Sequence, residues 1–589
     1  MSFKNSIQNR KTIGLFVGVC GLLLNLYSLY LHATIDFIAP TTEAATATFT
    51  WVFSIFLFCF AIYILYPEVK VQEEKDNKLT VREKILLTTI LTVALILRIY
   101  KIDYQGLYLD EWYWLTNAQG ILDGLIRSPF GFIGDQPSNM PAYVVSLFLI
   151  VTNNAFLAVR LPGVLYSMMT IIFVFIFLRY AINKKAAFIA SILLSTAIWD
   201  IHMTHFGWNN VNLNPFLISG FILFFYLAIR FYSPRHIIIA GIFLGVGISL
   251  LYTAALTTIV AFCSLVYYFI VSKQRKKVVL LAFLLFVLSF IVISPTLAKI
   301  YKYPDQSLAR HKKFTLENVD YSKEKNGYFY YIEQFKLALG DFSYKKDKFL
   351  ATNQLWGATL DPISSVFLPV GLLYVMLNVS KFSSFLLIIS YLVMFIPVVV
   401  LYRFTSIWRE YAFLPTVFML SSMGIFFLAH FTSKIWRIIK IPIRLNTSRN
   451  AILFSIGIVY TLIWVNLYIN YSSSYAKNVV DTYEWYCKKI ADYIANTVPE
   501  QSMLLLPDEM CKDLISITLL KRFNYQVYNN QNNVPTPFTK KPFVVQVLHS
   551  NSLVERQDTK VLGEHIETSY QKKVVKDEHG IYGIVYVPR

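Results

Sequence analysis

Two adjacent carboxylates, Asp110 and Glu111, stand shortly beyond an apolar run that closes on Arg98, in a segment crowded with Tyr104, Tyr108, Trp112, Tyr113 and Trp114. Tyrosine and tryptophan settle at the headgroup level of a bilayer, so this aromatic wrapping places the acids at a membrane surface. A carboxylate there can take a proton from a hydroxyl, provided its surroundings lift its pKa toward neutrality, as apolar surroundings do. Neighbouring side chains on a helix point about 100° apart, so the two acids cannot enter one pocket equally. One is expected to act as the base and the other to orient, coordinate or cap. The competing use of Asp110 is as the N-cap of a helix that begins at Trp112.

The elements around this pair are membrane helices. Of 589 residues, 56% are hydrophobic and only 15% charged, more apolar surface than a soluble domain can bury. The formal net charge of +19 would suggest nucleic acid for a soluble chain; in a polytopic one it records basic connections and anionic lipid. Apolar runs at 13–31, 49–66, 84–100, 158–180, 186–200, 212–231, 236–252, 254–272, 278–297, 362–378, 382–402, 411–430 and 451–470 predict about thirteen spans. The run 140–152 is too short to cross and reads as a re-entrant or surface helix. Lys4, Arg10 and Lys11 precede the first run as in a signal peptide, but with no small-residue cleavage site, so it reads as an uncleaved span.

Charge assigns the sides. Segments 70–84, 183–185, 230–235, 273–277, Lys381 and 434–449 are basic, whereas 32–48 and 201–211 contain no Lys or Arg. The positive-inside rule then puts the N-terminus in the cytoplasm and the C-terminus outside. The loop 101–157, the segment 200–211, the long loop 298–361, the segment 403–410 and the tail all fall on the extracytoplasmic side. The predicted organisation is two extra N-terminal helices (1–83), a membrane module (84–470) and a polar tail (471–589). Helices near 475–496 and 511–521, with strand-like pieces at 503–506, 543–548 and 581–587, suit a small extracytoplasmic α/β domain. Cys20, Cys59 and Cys263 fall in spans, while Cys487 and Cys511 are able to pair if the tail is extracytoplasmic.

The order of Leu109-Asp110-Glu111, then Asn139-Met140-Pro141-Ala142-Tyr143, then Ala158-Val159-Arg160-Leu161-Pro162-Gly163 resembles the GT-C polyprenyl-phosphate-dependent glycosyltransferases. The branch is that of the protein O-mannosyltransferases and the lipid A aminoarabinose transferase. Leu360-Asp361-Pro362 and Arg409-Glu410-Tyr411 with Pro415 add to a likeness covering roughly 84–430. The resemblance implies a GT-C type polytopic α-helical membrane protein of the bacterial cytoplasmic membrane. Its activity would be inverting transfer of a sugar from a polyprenyl (undecaprenyl) phosphate to a glycolipid, polysaccharide or protein. Asp110 corresponds to the family's catalytic base and Glu111 to its support. The leaving phosphate calls for cations, and Arg310, His311, Lys312, Arg403 and Arg409 are the candidates, with headgroup anchoring the other use of the 310–313 cluster. Tyr108, Trp112, Asn210, Asn214 and Tyr411 are candidates for substrate binding, the asparagines serving sugar hydroxyls or helix ends equally. Two positions depart from the lipid A branch. Met140 stands where it carries a lysine, and Asn214-Pro215 where it has Asp-Pro, so neither of those roles carries over.

Asp200, His202 and His205 could form a metal site, His202 and His205 sharing a helix face. No third strong ligand is apparent and they read as an interfacial polar cluster, a divalent metal being the alternative; no other cofactor is called for. No phosphate-cradling glycine loop or nucleophile elbow occurs, which fits a lipid-linked donor over a nucleotide one. The rival class is a transporter or flippase of lipid-linked sugars. Transporters place ionisable residues in mid-span and carry internal repeats, neither of which is visible here.

Overall fold

The computed structural model describes residues 2–588 apart from 36–40, 67–77, 105, 108, 127, 132–137, 251, 306, 308–331, 333–334, 337–338, 341, 343–358, 401–409, 439–444, 481–482, 500–501, 508–518, 520–523, 529–542, 548–569 and 578–579. Helices α1 (Ser2–Thr34) and α2 (Thr42–Leu65) form a hairpin, followed by α3 (Val81–Ile99). Two short helices come next, α4 (Leu109–Leu122) and α5 (Met140–Thr152). The bundle continues with α6 (Ala155–Ala181), α7 (Lys184–Ser195), α8 (Ile198–Thr204), α9 (Asn209–Phe231), α10 (Pro234–Leu250), α11 (Tyr252–Ala255), α12 (Thr257–Val271) and α13 (Arg275–Lys302). It closes with α14 (Pro362–Leu377), α15 (Phe382–Val400), a 3₁₀ turn (Tyr411–Phe413) leading into α16 (Leu414–Ile438), and α17 (Leu445–Val480).

Local chemistry sets the helix starts. Thr80 and Glu83 form a reciprocal capping box at α3, the Thr80 hydroxyl accepting from the Glu83 amide (3.2 Å) while the Thr80 amide donates to the Glu83 carboxylate (2.7 Å). Asn154 caps α6 and Asn183 caps α7 through their amide oxygens. Asp361 caps α14, accepting from the Ser364 amide at 2.8 Å. Helix α5 ends on Asn153 in the left-handed region (φ 46°). Its 13 residues reach only about 20 Å, against about 30 Å of hydrocarbon, and so do not cross.

This is a multi-pass membrane protein. Among the described residues, eight helices are long and apolar enough to span a bilayer, or nine if α7 and α8, bent by 52° across Thr196 and Ala197, count as one. That is fewer than the thirteen or so read from apolar runs. Helices α10 and α14 and the 382–396 part of α15 are apolar but short, and α3 carries Arg82, Glu83, Lys84 and Arg98. The hairpin α1–α2 is fastened to α13 by polar contacts. The Asn25 side-chain amide donates to Ser54, to the Ile291 carbonyl and to Ser294, and the Trp51 indole donates to the same Ile291 carbonyl. Phe130, from the segment ahead of α5, packs edge-on against His32 (5.4 Å) and Trp51 (4.9 Å) of that hairpin.

Beyond α17, helix α18 (Tyr483–Thr497) packs on a five-stranded sheet ordered β2 (Asn524–Tyr528), β1 (Met503–Pro507), β3 (Phe543–Val547), β5 (Gly580–Pro588), β4 (Tyr570–Asp577). Strand β1 pairs parallel with β2 and β3, while β5 pairs antiparallel with β3 and β4. Strands β1, β3 and β5 are the pieces expected from sequence; β2 and β4 are additions. The expected helix at 475–496 is the end of α17 and most of α18. The one near 511–521 lies almost wholly outside the described residues.

Candidate active site

The site is assembled where the C-terminal end of α3, the N-terminal ends of α4, α6 and α9, the short helix α8 with the residues after it, and the start of the 3₁₀ turn before α16 come together. Asp110 and Glu111 lie in the first turn of α4, where the helix dipole favours negative charge. Their fates differ. Glu111 is fully buried, whereas Asp110 is half-buried.

Glu111 is held on three sides. Arg160 of α6, also fully buried, grips it with two parallel bonds, Nε to Oε1 at 2.7 Å and Nη2 to Oε2 at 2.9 Å. The Gly207 amide donates to Oε1 at 2.7 Å. Arg160 further donates to the Ile102 carbonyl (2.7 Å) and the Gly106 carbonyl (2.9 Å), tying the α3–α4 connection to α6. Bidentate guanidinium–carboxylate pairing fixes geometry as well as charge. Gly207 is a required glycine: a Cβ there would lie 2.7 Å from the Val159 carbonyl oxygen and 2.9 Å from Glu111 Oε1.

A second buried network lies alongside. Arg98 closes α3 with no exposed surface and reaches Asp200 of α8 in an ion pair. Its Nε also donates to Ser167 (2.7 Å), and its remaining donors take the carbonyls of Ala94 (2.9 Å), Ser195 (2.8 Å) and Leu194 (3.0 Å). Leu194 and Ser195 end α7 at the bend, so the cation sits on a helix C-terminus where it is favoured. Asp200 also accepts from the Ser167 and Tyr411 hydroxyls. Its oxygens are thus engaged by three side chains, which leaves it poorly placed as a metal ligand. No group of three His, Cys, Asp or Glu suited to a metal occurs among the described residues. His202 and His205 turn their Nδ1 atoms to the Tyr471 hydroxyl of α17, each at 3.3 Å. His205 lies just past α8, and burial, with Arg160 and Arg98 nearby, pushes its pKa down to about 3.

The other sequence candidates divide. Trp112 is half-buried, its ring 4.8 Å from that of Tyr113. Tyr411 is 1% exposed and gives its hydroxyl to Asp200, with its ring against Trp199. Asn210 accepts from the adjacent Val211 amide and Asn214 from the Thr253 hydroxyl (3.2 Å), both in packed surroundings. Tyr108, Arg310, His311, Lys312, Arg403 and Arg409 lie outside the described residues. Sequence reasoning gave no role to Arg98, Arg160, Ser167 or Gly207. The signal for two of them was available, since an arginine inside an apolar helix must find an acid.

A family model described as dolichyl-phosphate-mannose-protein mannosyltransferase matches residues 135–298, from the segment before α5 to the end of α13. No curated protein matches the chain. Among solved structures, ArnT from Cupriavidus metallidurans bound to undecaprenyl phosphate is 12% identical, with a TM-score of 0.53 over 85% of this chain and 97% of its own. The fold is that of the GT-C glycosyltransferases. ArnT in the apo state gives a TM-score of 0.52 over 85% of this chain. The oligosaccharyltransferase AglB from Archaeoglobus fulgidus, in complex with an inhibitory peptide and a dolichol-phosphate, is 13% identical with a TM-score of 0.47 over 75% of this chain. The chain spans 64% of AglB's length. The GT-C fold here includes both ion pairs and the α4 carboxylates in one contiguous end of the bundle.

Proposed function

We propose that the chain is an inverting glycosyltransferase that moves a sugar from a polyprenyl phosphate to an envelope glycolipid, polysaccharide or protein, with Asp110 as the general base. The observation that carries this is the division of labour between the two acids. Glu111 is fully buried and held by Arg160 and Gly207 on both oxygens, while Asp110, one residue away on the same helical turn, is only half-buried. The Glu111–Arg160 pair fixes the turn, and Asp110 is what the turn presents.

In the reaction, Asp110 takes the proton of the acceptor hydroxyl as that oxygen attacks the anomeric carbon. The new carbon–oxygen bond forms on the face opposite the phosphate, the bond to phosphate breaks, and polyprenyl phosphate departs with the electron pair. Anomeric configuration inverts. Arg310, His311, Lys312, Arg403 and Arg409 are proposed to receive the leaving phosphate, where guanidinium supplies bidentate charge. The chemistry runs on the extracytoplasmic face of a bacterial cytoplasmic membrane, as the charge asymmetry of the connections supports. A fold shared with ArnT, whose structure is bound to undecaprenyl phosphate, supports the donor class.

Mass spectrometry of envelope glycolipids and glycans from cells lacking the gene, with and without the gene restored, tests this reading. One sugar mass is expected to vanish and return. An envelope unchanged by deletion argues against transferase activity.

A further inference from the structure

We infer that the C-terminal α/β domain positions the catalytic turn, acting on Glu111 from two directions at once. The inference rests on the reading of α4 as the catalytic element.

The first direction runs through Phe156. This ring, in the first turn of α6 and 6% exposed, has the Arg160 guanidinium 5.4 Å from its centroid and the Lys488 ammonium of α18 at 5.2 Å. Phe156 and Arg160 are i and i+4 on α6 and so share a face. Lys488 is itself held by Asp492 at 2.8 Å, and its neighbour Cys487 is buried and disulfide-bonded. A cation from the C-terminal domain is therefore seated on the ring that also supports Arg160, whose fork holds both oxygens of Glu111.

The second direction runs through Tyr471, on the helix that leads into that domain. Its hydroxyl, 2% exposed as a residue, meets His202 Nδ1 and His205 Nδ1. His205 is followed two residues on by Gly207, whose amide donates to Glu111 Oε1. One route ends on the guanidinium and the other on the amide, and both ligate the same carboxylate. Lys488 and Tyr471 act here as positioning residues, through the Phe156 ring and the two histidines. The consequence is that withdrawal of the domain loosens the turn bearing Asp110, and its docking tightens it.

Hydrogen exchange of the full-length protein in detergent, with no substrate added, reads this directly. Lys488→Met is expected to speed exchange across 101–122 by about two- to thirtyfold, the range one cation–π contact covers, while Lys488→Arg keeps wild-type rates. Tyr471→Phe is expected to speed the same segment while leaving the C-terminal sheet unchanged. Unaltered exchange in 101–122 for Lys488→Met and Tyr471→Phe overturns the proposal. So does faster exchange that is equal in α10, which belongs to neither route, because that marks general loosening. Because exchange needs no turnover, the result is independent of whether Asp110 proves to be the base. Envelope sugar restored by Asp110→Asn would sink the catalytic reading and leave the positional coupling standing or falling on its own data.

Discussion

Glu111 and Arg160 form a buried pair in which each group depends on the other. Removing one partner of such a pair strands a charge in a low dielectric and costs about 3–5 kcal/mol. Arg160→Met is therefore expected to lower the melting temperature sharply in detergent, much more than substitution of an exposed arginine, and an unchanged melt contradicts the pairing. His205 gives a prediction in pH. Folded, its pKa is pushed down to about 3; unfolded, it titrates near about 6.5. Above that value both states are neutral and His205 adds no pH dependence. As the pH falls below it, the unfolded chain binds a proton that the folded chain refuses, so stability drops until the pH approaches the folded value. His205→Gln is expected to flatten melting temperature against pH on this acid limb, and the slope of the wild type retained in the variant tells against it. The acids at 110 and 111 were visible in the sequence because they stand side by side in an aromatic run shortly past an apolar helix. Their unequal roles were not, since Arg160 lies 49 positions from Glu111 and Asp200 102 from Arg98, and no periodicity reports on contacts at that range.

At the scale of elements, α14 and α16 touch backbone to backbone. A Cβ at Gly371 would fall 1.9 Å from the Leu420 carbonyl oxygen, and one at Gly424 2.1 Å from that of Phe367. Small residues permit this approach between membrane helices, and Ser421 adds a hydrogen bond to the Ser364 carbonyl at 2.8 Å. The crossing braces α16, whose leading turn sends Tyr411 to Asp200. Gly424→Ala must push the helices apart and is expected to cost at least the about 1–3 kcal/mol typical of overpacking. Size-exclusion chromatography of the solubilised protein checks it: a profile and melt equal to wild type would show that the crossing tolerates separation. Apolar runs located most of the helices and marked α5 by its length as too short to cross, re-entrant or surface-lying. They missed the break at Thr196–Ala197, because the run stays apolar through the bend and the donors that satisfy the carbonyls there, Arg98 and Trp464, come from distant helices. Strands β2 and β4 were missed for a related reason. Asn524-Tyr525-Gln526-Val527-Tyr528 is short, and the edge strand β4 carries Lys572, Lys573 and Lys576, the charges that keep sheet edges from pairing further.

Over the whole molecule, both ion pairs tie the region where α3 runs into α4, a connection expected to face outward, to neighbouring helices. Opposite charge bias in the two sets of connections predicts sidedness. Single cysteines introduced into a cysteine-free chain report it. A cysteine at Lys184 is expected to resist a membrane-impermeant maleimide in intact spheroplasts, and one at Lys573 to react. Labelling of Lys184 but not Lys573 would invert the topology and remove Asp110 from the extracytoplasmic face. The disulfide at Cys487 already fits an oxidising compartment for the tail.

The central claim is that Asp110 carries the proton while Glu111 only holds the turn. Asp110→Asn keeps the shape and removes the base, so it should melt and accumulate as wild type does. Measured by its power to restore the missing envelope sugar to deletion cells, it is expected to fall by about 10²- to 10⁴-fold, the usual contribution of a general base. Full restoration by Asp110→Asn at wild-type abundance would contradict the account.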